Sequence, residues 1–139
     1  MHSLDSPASH LPVRVYYEDT DAAGVVYYAN YLKYCERART EWLRALGYAQ
    51  QSLRETSGRV FVVRSVAAEY LNSAQLDDLL DIETRVTELG RAKLVFAQRV
   101  LRDGQPLFEA TVTIVCVDWN TRKPVSIPSD LRSLMESPQ

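Results

Sequence analysis

One long amphipathic helix followed by four strand patterns restricts the fold of this chain more than any other feature. Between residues 30 and 46, apolar side chains recur every three or four positions, which is typical of a helix with one buried face. The intervening positions are largely charged and include Glu36, Arg37 and Arg39. Asn30 is expected to cap the N-terminus of this helix, and Gly47 is expected to end it.

Four later segments have strand patterns: 60–70, which is one long strand or a pair of strands, the alternating segments 81–88 and 93–101, and the long segment 105–119. Gly90 and Asp103-Gly104 supply short hairpin-type turns between them. Strands joined by such short connections pair antiparallel. A first strand is predicted at 13–17, and a terminal helix at 129–136. The pattern as a whole predicts an α+β fold in which one antiparallel sheet packs on one long helix.

The length of 139 residues is typical of one domain. We expect a flexible leader over 1–11 and a single domain over 12–139. A net charge of −2 argues against nucleic acid as a partner. No apolar run is long enough for stable membrane insertion, and the N-terminus lacks the apolar core of a secretory signal. Cys35 and Cys116 fall in apolar patterns typical of reduced core residues, so we expect a cytoplasmic protein.

Three carboxylates, those of Glu18, Asp19 and Asp21, precede the positive end of the long helix. The histidines, His2 and His10, both lie in the expected leader. This removes nucleophiles activated by histidine and histidine metal sites, so no metal or cofactor is expected. An enzyme built from this chain would therefore use a carboxylate. The alternative is that these carboxylates are solvated turn residues that interact only with the helix dipole.

The run VRVYYEDTDAAGVVYYANYLKYCERARTEWL resembles the hotdog-fold acyl-CoA thioesterases of the 4-hydroxybenzoyl-CoA thioesterase family, most closely the YbgC-type branch. The segments FVVRSVAAEYLNSAQLDDLLDI and VCVDWNTRKPVSIP resemble the same branch, so the similarity spans roughly residues 12–128. The resemblance implies a hotdog fold, an antiparallel sheet wrapped around a central helix. It also implies hydrolysis of an acyl-CoA thioester to free acid and CoA.

The resemblance also implies roles for individual residues. Asp21 matches the catalytic carboxylate, as nucleophile or general base, and Tyr17 matches a residue that lines the site. Tyr28 matches the position whose backbone N–H polarises the thioester carbonyl. The YbgC-type branch commonly has histidine at this position, so the acyl preference stays open. Because another branch of the fold uses a glutamate of the helix, Glu36 and Glu41 are alternative catalytic residues.

Coenzyme A carries phosphates, and Arg64, Arg91 and Lys93 are the basic residues expected to bind them. One sheet and one helix leave strand edges uncovered, so we expect a homodimer or a homotetramer with sites between subunits. Acyl carrier protein is a further candidate partner. Two alternatives remain. One is an acyl-thioester dehydratase, which normally needs a catalytic histidine, and the other is a carrier-protein-binding or scaffold protein with little hydrolysis.

Overall fold

The strands pair into one antiparallel sheet in the computed structural model, which describes residues 2–3 and 8–136. Its order is β1–β4–β5–β6–β3, and β2 also pairs with β4. The elements are β1 (His2–Ser3), β2 (Ser9–Arg14), a 3-10 turn (Tyr17–Asp19), α1 (Asn30–Ala45), α2 (Gln50–Ser57), β3 (Arg59–Tyr70), β4 (Leu79–Leu89), β5 (Lys93–Arg102), β6 (Gln105–Asp118) and α3 (Ser129–Glu136).

The long helix α1 lies against β2, β4 and β5 and is covered by them along one face. Burial of each large apolar side chain on this face contributes about 1.5–3 kcal/mol. None of the described helices is both long and apolar enough to span a membrane. The buried apolar side chains of α1 are Tyr31, Tyr34, Cys35, Ala38 and Leu43.

The predicted extent of α1 is confirmed, but the predicted cap at its N-terminus is wrong. Ala29 occupies the cap position without a side-chain hydrogen bond, and Asn30 is the first helical residue. The Asn30 side chain instead donates from Nδ2 to the backbone oxygen of Asp19 at 2.8 Å. Gly47 follows the helix with a φ of 94°, a conformation that glycine adopts without steric cost.

The four strand patterns after α1 and the terminal helix α3 are confirmed, as is the antiparallel pairing. Asp103 and Gly104 connect β5 to β6 with φ values of 51° and 78°. Two successive positive φ values are typical of the type I′ turn, whose twist matches that of the flanking strands. The observed architecture is therefore the predicted α+β sheet on one long helix.

The N-terminal region differs from the prediction. The first long strand is Ser9–Arg14 rather than 13–17, so residues 9–11 pair with β4 instead of belonging to a flexible leader. His10 Nδ1 lies 2.9 Å from an Asp81 carboxylate oxygen across this pair. The strand ends early because the Asp19 carboxylate accepts a hydrogen bond from Tyr16 N at 2.9 Å and turns the chain. Residues 1 and 4–7 of the expected leader lie outside the described residues.

The strand β3 forms one edge of the sheet. Among the described residues it pairs only with β6, through its full length. All of its residues from position 62 to 70 are exposed, among them Val63 at 51% and Tyr70 at 48%. A long apolar edge strand presents unpaired backbone groups that favour pairing with another chain.

Candidate active site

Asp21 begins a tight turn that fixes the direction of its carboxylate. Asp21 N donates to Val25 O at 2.9 Å, and Gly24 N donates to Asp21 O at 3.0 Å. Gly24 has a φ of 83°, which residues with a Cβ rarely adopt. Asp21 Oδ1 accepts a hydrogen bond from Ala23 N at 2.9 Å. Its Oδ2 has no hydrogen-bond partner within the described part of the chain, so one carboxylate oxygen is available to a ligand.

A cleft of about 450 Å³ connects Asp21 with the N-terminus of α1. Its lining comes from residues 21, 25–28, 31 and 70–73. A neighbouring cleft of about 430 Å³ also contains Asp21, together with Tyr17, which is 82% exposed. The structure therefore brings Asp21 and Tyr28 to one cleft and Tyr17 to the adjoining one.

The backbone just before α1 carries unpaired N–H groups. Tyr27 N donates to Asp19 O at 3.0 Å, and Asn30 N donates to Tyr27 O at 2.8 Å. Between them, the N–H groups of Tyr28 and Ala29 have no acceptor among the described residues. N–H groups at the start of a helix carry the positive end of its dipole. They can therefore donate to an oxygen on which negative charge develops.

Aromatic side chains form the inner wall of the Asp21–Tyr28 cleft. The Tyr70 hydroxyl donates to Tyr28 O at 3.0 Å, and the two rings meet edge to face at 6.1 Å. Tyr31 stacks on Phe108 at 5.2 Å, and its hydroxyl accepts a hydrogen bond from Ala74 N at 2.9 Å. Burial raises the pKa of both Tyr31 and Tyr70. Both phenols are therefore neutral near pH 7, so these two side chains carry no negative charge that would repel the Asp21 carboxylate.

The loop between β3 and β4 also lines the cleft, through residues 71–73, and is held by Asp78. Val26 N donates to Ala74 O of this loop at 2.8 Å. The Asp78 carboxylate accepts hydrogen bonds from Gln75 N and from Arg102 Nη1, each at 2.8 Å. Burial tends to raise the pKa of Asp78, but the Gln75 N–H and the Arg102 guanidinium outweigh it and hold the pKa below its ordinary value.

The three basic residues expected to bind CoA lie away from the clefts of Asp21 in the same protomer. Arg64 is exposed at a register shift in the edge strand β3. Arg91 Nη1 donates to Ser126 Oγ at 2.8 Å, and Lys93 is the first residue of β5. None of the three lines either cleft.

The alternative carboxylates of α1 also lie outside the Asp21 clefts. Glu41 pairs with Arg44 on the surface of the helix. Glu36 is exposed and lines a different cavity, of about 100 Å³, beside α1 and α2. Of the candidate carboxylates, Asp21 is therefore the one that shares a cleft with the unpaired N–H of Tyr28.

The cavity beside α1 borders, through Arg39, a buried polar network that the sequence pattern does not predict. Arg39 Nη1 donates to Gln98 Oε1 at 2.8 Å. Gln98 Nε2 donates to Thr84 Oγ1 at 2.9 Å and to Cys35 O at 3.0 Å. Gln98 and Thr84 are each 1% exposed. The signal in the sequence was Gln98, a polar residue on an otherwise apolar face of β5.

Comparisons with known proteins find relatives that match most of the chain. The family model described as "Thioesterase-like superfamily" matches residues 15–134. The acyl-CoA thioesterase YbgC of Haemophilus influenzae is 51% identical over 122 residues, which cover 88% of this chain and 90% of that protein. The acyl-CoA thioester hydrolase YbgC of Escherichia coli O6:H1 is 49% identical over 122 residues, 86% and 90% of the two chains.

Solved structures show the same fold. The crystal structure of a probable thioesterase from Bartonella henselae superposes with a TM-score of 0.82 at 36% identity. The match covers 88% of this chain and 100% of that chain. The hotdog arrangement expected from the sequence resemblance is thereby confirmed.

Proposed function

The chain belongs to the thioesterase-like superfamily, and we propose that it hydrolyses acyl-CoA thioesters to a free acid and CoA in the cleft between Asp21 and Tyr28. The observation that carries this proposal is the combination of two unpaired groups in one cleft. These are the Oδ2 atom of Asp21 and the backbone N–H of Tyr28 at the positive end of α1.

The Tyr28 N–H would donate a hydrogen bond to the carbonyl oxygen of the thioester. Negative charge grows on this oxygen as the carbonyl carbon becomes tetrahedral, so a preorganised donor stabilises the transition state more than the substrate. The dipole of α1 adds to the same effect. Tyr70 helps to fix the orientation of the Tyr28 backbone, because its hydroxyl donates a hydrogen bond to the Tyr28 carbonyl oxygen.

Asp21 would act by one of two routes. As a nucleophile, its Oδ2 attacks the carbonyl carbon, the C–S bond breaks, CoA leaves as a thiolate, and water then opens the mixed anhydride. As a general base, it takes a proton from water, whose oxygen attacks the carbonyl carbon directly while the thiolate leaves. Label found in the Asp21 carboxylate after a single turnover in ¹⁸O-labelled water would identify the nucleophilic route, because water can enter that carboxylate only by opening the anhydride at the aspartyl carbonyl.

The free edge of β3 supports an assembly of two copies related by a two-fold axis. Antiparallel pairing of β3 with its counterpart would continue the sheet and cover the exposed edge. The end of β3 at Tyr70 would then lie beside the beginning of β3 in the other copy. Arg64, Arg91 and Lys93 would reach the CoA phosphates across this interface, and two such dimers would form a tetramer. The buried, unpaired Cys35 and Cys116 suit a reducing compartment, so we propose the cytoplasm.

The test is thiol release from a panel of acyl-CoAs by the wild type, Asp21→Asn, Glu36→Gln and Glu41→Gln. Because Asp21→Asn keeps the shape of the side chain but removes the base, we expect kcat to fall by about 10²–10⁴-fold. Glu41→Gln is the matched control, since Glu41 lies on the surface of α1 and pairs with Arg44.

Other outcomes would favour the alternatives. Wild-type rates in Asp21→Asn, with loss of rate in Glu36→Gln or Glu41→Gln, would place the catalytic carboxylate on α1. Tight binding of acyl carrier protein without hydrolysis of any acyl-CoA would support the scaffold alternative and contradict the proposal.

A further inference from the structure

A cavity of about 100 Å³ lies beside α1, at some distance from the Asp21 cleft of the same protomer. The first residue of α1 that lines this cavity, Glu36, comes six residues after Asn30, which corresponds to about 9 Å along the helix axis from the N-terminus of α1. Most of its wall is apolar, and Trp42 meets Phe96 edge to face at 5.1 Å. Arg39 introduces a positive charge into this wall, and the exposed Glu36 adds a carboxylate that makes no ion pair with it among the described residues.

The guanidinium of Arg39 has more donors than partners. A guanidinium carries five N–H donors, and the bond to Gln98 Oε1 uses one of them. Within the described ranges, no carboxylate lies close enough to Arg39 to form an ion pair. Gln98 cannot turn away, because its Nε2 donates to Thr84 and Cys35. The network therefore holds Arg39 in the cavity wall.

A cation held in an apolar wall without a counter-ion is costly. Burial lowers the pKa of Arg39, although the nearby Glu36 opposes this effect. Glu36 is exposed, so water screens its charge. An anion bound inside the cavity would compensate the Arg39 charge more fully. A carboxylate fits best, because its two oxygens match the fork of the guanidinium.

The size of the cavity limits the ligand further. It is smaller than the engineered cavities of about 150 Å³ that hold benzene, so it has room for about four non-hydrogen atoms. A carboxylate with one methylene group has this size. We infer that the cavity binds the far end of an acyl group that carries a terminal carboxylate. This inference rests on the proposed function, whose substrate class it narrows.

The edge strand provides the connection between the two sites. Phe61 and Val63, near the beginning of β3, line the Arg39 cavity, whereas Tyr70 at its end lines the Asp21 cleft. Antiparallel pairing of two β3 strands brings the beginning of one beside the end of the other. The thioester would then lie at Asp21 of one protomer while its carboxylate enters the Arg39 cavity of the other.

The experiment compares pairs of acyl-CoAs that differ only at the far end. Succinyl-CoA is paired with 4-methylpentanoyl-CoA, and glutaryl-CoA with 5-methylhexanoyl-CoA, so that two methyl groups replace the carboxylate oxygens. The ratio of kcat/KM within each pair is measured after subtraction of spontaneous hydrolysis. We expect the wild type to favour a carboxylate by at least about tenfold. Arg39→Met should remove most of this preference, through a higher KM for the substrate that ends in a carboxylate.

Two further variants make the result interpretable. Arg37→Met is the matched control, because Arg37 is an exposed arginine two positions away on the same helix. It should keep the wild-type ratio. Arg39→Met leaves Gln98 Oε1 without its donor and so could unfold the protein. Arg39→Lys keeps the charge and a donor but loses the fork, and we expect it to lower the ratio.

The two hypotheses fail in different ways. If Arg39→Met and Arg39→Lys keep the wild-type ratio, or if the wild type prefers the methyl-ended substrates, the Arg39 inference is overturned. If the wild type hydrolyses other acyl-CoAs but neither dicarboxylic one, that inference fails and the proposed function stands. If no acyl-CoA is hydrolysed, both are contradicted.

Discussion

Asp78 supports the site without belonging to the chemistry. Its carboxylate binds Gln75 N and Arg102 Nη1, which closes the loop that forms one wall of the Asp21 cleft. The main chain of Asp78 is tied to the N-terminal segment as well, since Val15 N donates to Asp78 O at 2.9 Å. The Asp78–Arg102 ion pair is lost when Asp78 is protonated, so the stability of this wall should depend on pH.

Asp78→Asn should lower the free energy of unfolding by about 1–2 kcal/mol at pH 7. The pKa of Asp78 is lowered on folding, so the carboxylate stabilises the folded state above its unfolded pKa of about 3.9. That contribution is lost as the pH falls through the folded pKa. Urea unfolding between pH 7 and pH 3 should therefore show the wild type and the variant converging in acid.

Asp103→Asn is the control for this prediction, because Asp103 is an exposed turn residue with a positive φ that asparagine tolerates. It should unfold like the wild type at every pH. A difference between wild type and Asp78→Asn that stays constant down to pH 3 would show that the charge is not the cause.

Single residues also show what the sequence could and could not reveal. The resemblance placed Asp21 and Tyr28 in one site, and the structure brings them to one cleft. Arg39 looked like a charged residue on the solvent face of α1, yet it lines a cavity and binds Gln98. Periodicity describes one helix at a time. It does not reveal that a second helix, α2, and the beginning of β3 line a cavity together with α1.

At the scale of elements, the edge strand β3 connects the fold with the site. Both ends of this strand line a cavity, one containing Arg39 and the other containing Asp21. Its exposed apolar residues offer a surface for a second copy. Loss of pairing at β3 should therefore impair activity even though no catalytic group is changed.

Val66→Glu tests this consequence. Val66 is 43% exposed in the middle of β3, and like charges placed opposite each other across a two-fold axis repel. We expect sedimentation velocity to show a shift from dimer to monomer, with a parallel loss of hydrolysis. Leu79→Glu is the matched control, because Leu79 is 53% exposed at the start of β4, which β3 does not contact through the sheet. A fully active Val66→Glu monomer would contradict the shared site.

The elements differ in how well their sequences predicted them. The helix α1 and the strands β3 to β6 were predicted because each carries its own periodic pattern and turn residues. The strand β2 was missed at its start because Ser9 and His10 are polar, and its pairing depends on distant partners in β4. Tyr16 and Tyr17 have high β-propensity but are 61% and 82% exposed, and the Asp19 carboxylate turns the chain there.

At the scale of the whole molecule, the sheet covers α1 but leaves one side of β3 without a partner strand among the described residues, so the chain packs around its own core while the proposed site needs a second copy. Hydrophobic burial around α1 explains the first property. The second property follows from the edge of β3, because no described strand of the same chain pairs with its free backbone groups. The Asp21 cleft, the Arg39 cavity and the unpaired edge of β3 are therefore all parts of the site that we propose two copies share.

The two buried thiols decide how such an enzyme can be assayed. Cys35 and Cys116 are each 0% exposed, and burial raises their pKa to about 12 and about 11. A chromogenic disulfide reagent reacts with thiolates, so the native protein should contribute no colour at pH 8 and released CoA should contribute all of it. In denaturant the same reagent should count two thiols per chain. One dye therefore reports turnover while the enzyme is folded, and a burst of colour without substrate reports that it has unfolded.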